Sequence, residues 1–107
     1  MKDIVYFDLE TQKGADEVGG WKNMHLMKMS VGATFSTAAG KYFIYIEDEV
    51  DALIRQLMRA SLVVGFNQAR FDYSVLSGYT PLDLFQVPYC DMLLDAEAAL
   101  GHRIKLD

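Results

Sequence analysis

Apolar and polar positions change period along this chain, and the changes mark its elements. Ile4-Val5-Tyr6-Phe7 is an apolar run that reads as a buried strand continuing through Asp8-Leu9-Glu10-Thr11. Met24 to Phe35 carries Leu26, Met29, Val31, Ala33 and Phe35 in near alternation and predicts a second strand. After the turn Ser36 to Lys41, Tyr42 to Ile46 predicts a third strand, strongly β-forming. Three successive strands of this kind predict an antiparallel meander. From Asp48 the period becomes helical. Asp48 reads as an N-cap, Glu49 and Asp51 favour the helix dipole, and Val50, Leu53, Ile54, Leu57 and Met58 form an apolar stripe. Leu62 to Asn67 is apolar until its end, as a central parallel strand is. A second helix is predicted over about Arg70 to Ser77, stopped by Gly78, then a short strand over Val87 to Asp91 with Pro88 at its start. A third helix covers Met92 to Leu100 and ends at Gly101. The order is βββαβαβα: an α/β fold with a three-strand antiparallel meander followed by α/β units in one mixed sheet.

Between the first two strands, Gln12 to Asn23 holds Gly14, Gly19 and Gly20 and reads as a long loop. Trp21 within it is expected to anchor the loop, although a loop leaving this strand could also touch a ligand. With 107 residues the chain makes one domain, residues 1–107, with a single core. No apolar stretch is long enough to span a membrane, and the strand pattern starts too early for a signal peptide. A single cysteine, Cys90, suits a reducing cytoplasm and reads as buried filler. The net charge of −5 argues against broad, nonspecific binding to nucleic acid, but not against an enzyme that meets a phosphate chain through metal ions.

The first strand breaks its own apolar pattern. Asp8 and Glu10 stand two residues apart, so strand geometry points both carboxylates to one face. Like charges side by side repel, and burying either alone costs several kcal/mol. A divalent cation between them turns that repulsion to use, and hard cations such as Mg²⁺ take oxygen ligands of this kind. On Asp-x-Glu alone, a strand end with two hydrated carboxylates remains an equal reading.

A second polar centre stands where the fourth strand meets the second helix, at Asn67-Gln68-Ala69-Arg70-Phe71-Asp72. In α/β sheets the carboxyl ends of strands are where ligands bind. Singly, Asp72 is also a helix-start acid, Phe71 a core residue and Asn67 a turn former. Together with the first strand they form a pattern. Phe-Asp-Leu-Glu-Thr, and then Val-Gly-Phe-Asn-x-x-x-Phe-Asp-x-x-x-Leu, resembles the DEDD family of 3′–5′ exonucleases, whose fold is ribonuclease H-like. Asp8 and Glu10 match the family's first motif, and Asn67, Phe71, Asp72 and Leu76 its second. Asp91 resembles an acid common at that point of the family, usually not a metal ligand.

The family's third motif supplies a fourth carboxylate and a His or Tyr that positions the attacking water. His102 and Asp107 meet its spacing formally, but too early after Gly101 and at the last residue. The expectation is therefore a C-terminally truncated or shortened relative lacking that motif. The resemblance implies hydrolysis of phosphodiester bonds at the 3′ end of single-stranded DNA or RNA, with two Mg²⁺ or Mn²⁺ ions in a complete site. It implies that Asp8 bridges the ions, Glu10 binds one and Asp72 the other. Thr11 would contact the terminal nucleotide, Phe71 its base or sugar, and Asn67 would hydrogen-bond near the metal-binding loop. The alternative is a ribonuclease H-like module that binds nucleic acid or a protein without cutting. An exposed sheet face, left where the further helix is missing, would invite self-association into a homo-oligomer.

Overall fold

The computed structural model of the chain describes residues 2–101. Its centre is β1 (Ile4–Thr11), which pairs antiparallel with β2 (Met29–Ser36) on one side and parallel with β4 (Leu62–Gly65) on the other. β3 (Lys41–Ile46) pairs antiparallel with β2, and β5 (Tyr89–Asp91) parallel with β4, giving the order β3-β2-β1-β4-β5. The predicted meander and the parallel continuation are both present, and together they make a mixed α/β sheet.

Alternation along β1 divides its side chains cleanly. Val5, Phe7 and Leu9 are buried, while Tyr6, Asp8 and Glu10 are exposed. The buried set packs against α1 (Val50–Arg59), whose Leu53, Ile54 and Leu57 form the stripe that its sequence predicts. Gly32 in β2 lets α1 come close, because a Cβ there would stand 2.8 Å from the Leu53 side chain. Gln56 on the same helix accepts from Thr34 Oγ1 at 2.7 Å and Tyr45 Oη at 2.9 Å, tying helix to sheet through polar groups as well.

Several boundaries differ from expectation, each for a local reason. β2 starts at Met29 instead of Met24, because Trp21–Leu26 is a 3-10 segment. Lys28, at φ 64°, then turns the chain into the strand. A second 3-10 segment, Ala15–Val18, precedes it, so the long loop is ordered by its own hydrogen bonds. Asp48 is not the cap of α1. A 3-10 turn over Glu47–Glu49 leads into the helix, and Glu49 Oε1 accepts from Ile46 N at 3.1 Å. The second helix is not one regular helix from Arg70. It begins as a π-helical turn, Gln68–Asp72, and continues as α2, Tyr73–Leu76. Cys90 is half-buried instead of a filler, with its Sγ 3.2 Å from Asp95 Oδ2. α3 (Met92–Leu100) ends at Gly101 in the left-handed conformation, as predicted.

Helices α1 and α2 leave the opposite face of the meander open. Tyr42, Ile44 and Ile46 of β3 and Tyr6 of β1 are exposed there, beside Met92 at the start of α3. An open, almost wholly apolar depression of about 300 Å³ lies on that face, bordered by Asp8.

Candidate active site

Asp8 and Glu10 occupy the exposed face of β1 near its carboxyl end, where Asp8 pairs with Ala33 and Glu10 with Val31. The strand alternation forces both carboxylates outward because Phe7 and Leu9 are committed to the core. Thr11 closes the strand, its Oγ1 donating to Lys13 O at 3.1 Å, where the ladder with β2 shifts register between Glu10 and Thr11.

Asp72 reaches the site by a different route. β4 ends at Gly65, where a Cβ would stand 2.7 Å from the side-chain amide of Gln68. That amide is wholly buried and donates to Cys90 O at 3.0 Å and Val63 O at 3.4 Å, filling the space beneath the turn. Asn67 then takes the left-handed conformation at φ 63°, which Asn tolerates better than most residues. The wide turn that follows brings Asp72 inward to 4% exposure.

A carboxyl so placed resists ionisation. Burial pushes the Asp72 pKa up to about 8, and the negative charge of Asp8, then Asp91 and Glu10, pushes it the same way. A hydrogen bond with its own backbone acts in the opposite sense without offsetting them. Asp8 is the largest of these charges, so the acids of the two sequence patterns lie within each other's field.

Asp91 has a separate task. It is buried at the N-cap of α3 and accepts from Leu93 N at 3.0 Å and Leu94 N at 3.3 Å. The same carboxylate accepts from Asn67 N at 2.8 Å and Ala69 N at 3.1 Å. Its oxygens are thus occupied by backbone donors, and it fixes the turn that carries Asn67 and Asp72. The sequence signal for this was a plain one: an acid directly before a helical apolar run is an N-cap.

Trp21 does not anchor its loop by burial, since it is 64% exposed. Its ring meets Phe71 edge-on, with centroids 6.3 Å apart and planes at 68°. Phe71 itself is partly buried against the core. Arg70 pairs with Glu97 at 3.1 Å across to α3. Nothing in the periodicity pointed to the meeting of Trp21 with Phe71, because it joins residues fifty positions apart.

The donor chemistry suits a hard divalent cation. Asp8 and Glu10 offer surface oxygens, and Asp72 carries an ionisation cost that a neighbouring cation would offset. As the side chains stand, no three His, Cys, Asp or Glu groups among the described residues lie close enough together to hold a metal ion. His102 and Asp107 lie outside the described residues. Among the described residues no helix is long and apolar enough to cross a membrane.

Solved structures share this architecture. E. coli Exonuclease I in complex with a dA16 oligonucleotide superposes with a TM-score of 0.62 at 13% identity, over 94% of this chain and 30% of that one. The zinc-ion-bound form of the E. coli ExoI–ssDNA complex gives 0.61 at 14% identity over the same shares. The family B DNA polymerase of the hyperthermophilic archaeon Pyrobaculum calidifontis gives 0.56 at 15% identity, over 82% of this chain and 12% of that one. The chain spans less than a third of each of these proteins. No family model and no curated protein matches it. At such identities the likeness establishes the fold, which is ribonuclease H-like.

Proposed function

We propose that this chain carries part of the active site of a metal-dependent 3′–5′ exonuclease acting on single-stranded DNA or RNA. The supporting observation is electrostatic. A buried acid from the β4–α2 turn is held largely protonated near neutral pH, and the foremost charge acting on it is Asp8 of the central strand. A fold gains nothing in stability from such crowding; a site that captures a cation does.

In this reading Asp8, Glu10 and Asp72 hold Mg²⁺ or Mn²⁺. The bound ions would neutralise charge on the phosphate oxygens and lower the pKa of a water molecule. Asp72 exchanges its proton for the cation, which makes capture of metal depend on pH. Asp8 and Glu10, being exposed, remain open to an approaching phosphodiester. Thr11 borders the terminal nucleotide from the end of β1, and Phe71 packs against its sugar or base. Asn67 holds the turn between them through the bond from its backbone N–H to Asp91.

The non-cleaving binding module is the second reading, and one observation favours it: the described residues present no ready cluster of three metal ligands. Release of mononucleotides from 5′-labelled single-stranded DNA and RNA in Mn²⁺ decides between them. It should be run on residues 1–107 and on a form extended through any downstream coding sequence. The nuclease reading expects Mn²⁺-dependent shortening from the 3′ end by the extended form, abolished by Asp8→Asn and by Asp72→Asn, with little by residues 1–107 alone. Binding of either strand without shortening by any form supports the module instead.

A further inference from the structure

Trp21 is the chain's only tryptophan, and its indole stands largely in water. Large aromatic rings normally gain most of their stabilisation by burial, so packing does not explain this position. Nor is the ring on a loose segment. Gly20 N donates to Ala15 O at 2.7 Å, Asn23 Nδ2 donates to Val18 O at 2.8 Å, and Met27 N closes the 3-10 segment on Met24 O at 3.0 Å. At its far end the carbonyl of His25 lies 2.2 Å from where a Cβ on Gly78 would stand, so the segment rests directly on the backbone after α2. An exposed ring on a pinned backbone is pre-organised for contact.

Trp21, Met24, Asn67, Arg70 and Phe71 line an open cavity of about 450 Å³. That is within the usual range for small-ligand sites and large enough for a base with its sugar. Two of its walls are aromatic, and Arg70 adds a planar cation that can stack or meet a phosphate. Asn67 Oδ1 is buried with no hydrogen-bond partner among the described residues, an acceptor that a donor on a ligand would satisfy. Phe71 immediately precedes Asp72, so whatever fills the cavity lies next to the carboxylates.

We propose that Trp21 and Phe71 form a nucleobase-stacking subsite that takes one base of a single strand beside Asp8, Glu10 and Asp72. This rests on the nucleic-acid reading above and adds to it a residue that selects for the presence and size of a base. Stacking on an aromatic face tolerates any base and favours the larger ring system, so purines should bind ahead of pyrimidines.

The test uses residues 1–107 in Ca²⁺, with dA8, dT8 and an eight-residue abasic strand of equal charge as probes. Because Trp21 is the sole indole, its emission reports directly on the subsite. Saturable quenching is expected with dA8, less with dT8, and none with the abasic strand. By anisotropy, Trp21→Ala should weaken dA8 binding roughly 5- to 100-fold and leave abasic binding unchanged, and Trp21→Phe should restore most of the loss. Equal affinity of wild type and Trp21→Ala for dA8, with unaltered emission, overturns the subsite while leaving the nucleic-acid reading intact. If wild type binds none of the three strands, the subsite and the reading beneath it fall together.

Discussion

The carboxylate of Asp91 accepts the backbone N–H of Asn67 at 2.8 Å, joining the start of α3 to the left-handed residue that opens the β4–α2 turn. The same side chain serves Ala69, Leu93 and Leu94, so one buried acid satisfies four backbone donors on two elements. Asp91→Ala should therefore be among the costlier substitutions, about 3 kcal/mol or more, because each buried donor left unpaired costs roughly 1–3 kcal/mol. Asp91→Asn, which keeps an acceptor, should lose less. Urea midpoints at constant slope will rank the two variants. Near-equal midpoints for wild type and Asp91→Ala would remove the clamp from the account.

Asp72 predicts a dependence of stability on pH. Its carboxyl ionises at 3.8 when unperturbed and at about 8 in the folded chain. Below about pH 4 both states carry the proton. Between there and about pH 8 the unfolded chain releases it and the folded chain keeps it, so the folded state loses stability as pH rises, by at most roughly 1.4 kcal/mol per unit. Above about pH 8 both are ionised and the loss is complete. With chelator present, the difference in unfolding free energy between Asp72→Asn and wild type should grow in favour of the variant from pH 4 to pH 8. A difference that stays flat across that interval contradicts the raised pKa. Asp8→Asn, by removing the foremost charge, should move the midpoint of the rise to lower pH.

Glycines at close backbone approaches should rank by what blocks a Cβ. Gly78→Ala brings the new atom against the carbonyl of His25 and must displace backbone, so a loss of about 2–4 kcal/mol is expected. Gly65→Ala meets the side chain of Gln68, which can withdraw, at the expense of its bonds to Cys90 and Val63. Gly40→Ala meets nothing within 4 Å and pays only for φ +67°, about 1 kcal/mol. Thermal unfolding of the three variants should give that order.

The open sheet face predicts self-association. Tyr42, Ile44 and Ile46 lie exposed on β3, which stands at the edge of the sheet. Edge strands and apolar patches of this kind invite pairing with a second copy. Sedimentation should show mass increasing with concentration, and Ile44→Glu should return residues 1–107 to monomer without lowering the melting temperature. A monomer at all concentrations would show that this face does not self-associate.

The sheet was largely legible in the sequence because its signal is periodic. Val5, Phe7 and Leu9 alternate with Tyr6, Asp8 and Glu10, and the helical stripe of α1 has a single solution. The failures fall where long-range contacts decide local form. Met24 carries an apolar side chain that a strand pattern absorbs, yet its segment turns as a 3-10 helix against α2, and only the Gly78 contact reveals why. The π-helical turn at Gln68–Asp72 depends on Asp91, more than twenty residues away, and no local propensity encodes it. Likewise Trp21 in a glycine-rich loop gave no sign of meeting Phe71.

The central claim is that Asp8, Glu10 and Asp72 act as one divalent-metal site, and Mn²⁺ binding tests it most directly. The free Mn²⁺ signal in electron paramagnetic resonance, titrated with residues 1–107 at pH 8, measures bound ion without any requirement for activity. Wild type should bind Mn²⁺ weakly but saturably, more tightly at pH 8 than at pH 6 as Asp72 yields its proton. Asp8→Asn and Asp72→Asn should each lower the affinity at least tenfold. Affinity unchanged by either substitution, or equal at the two pH values, would contradict a shared site.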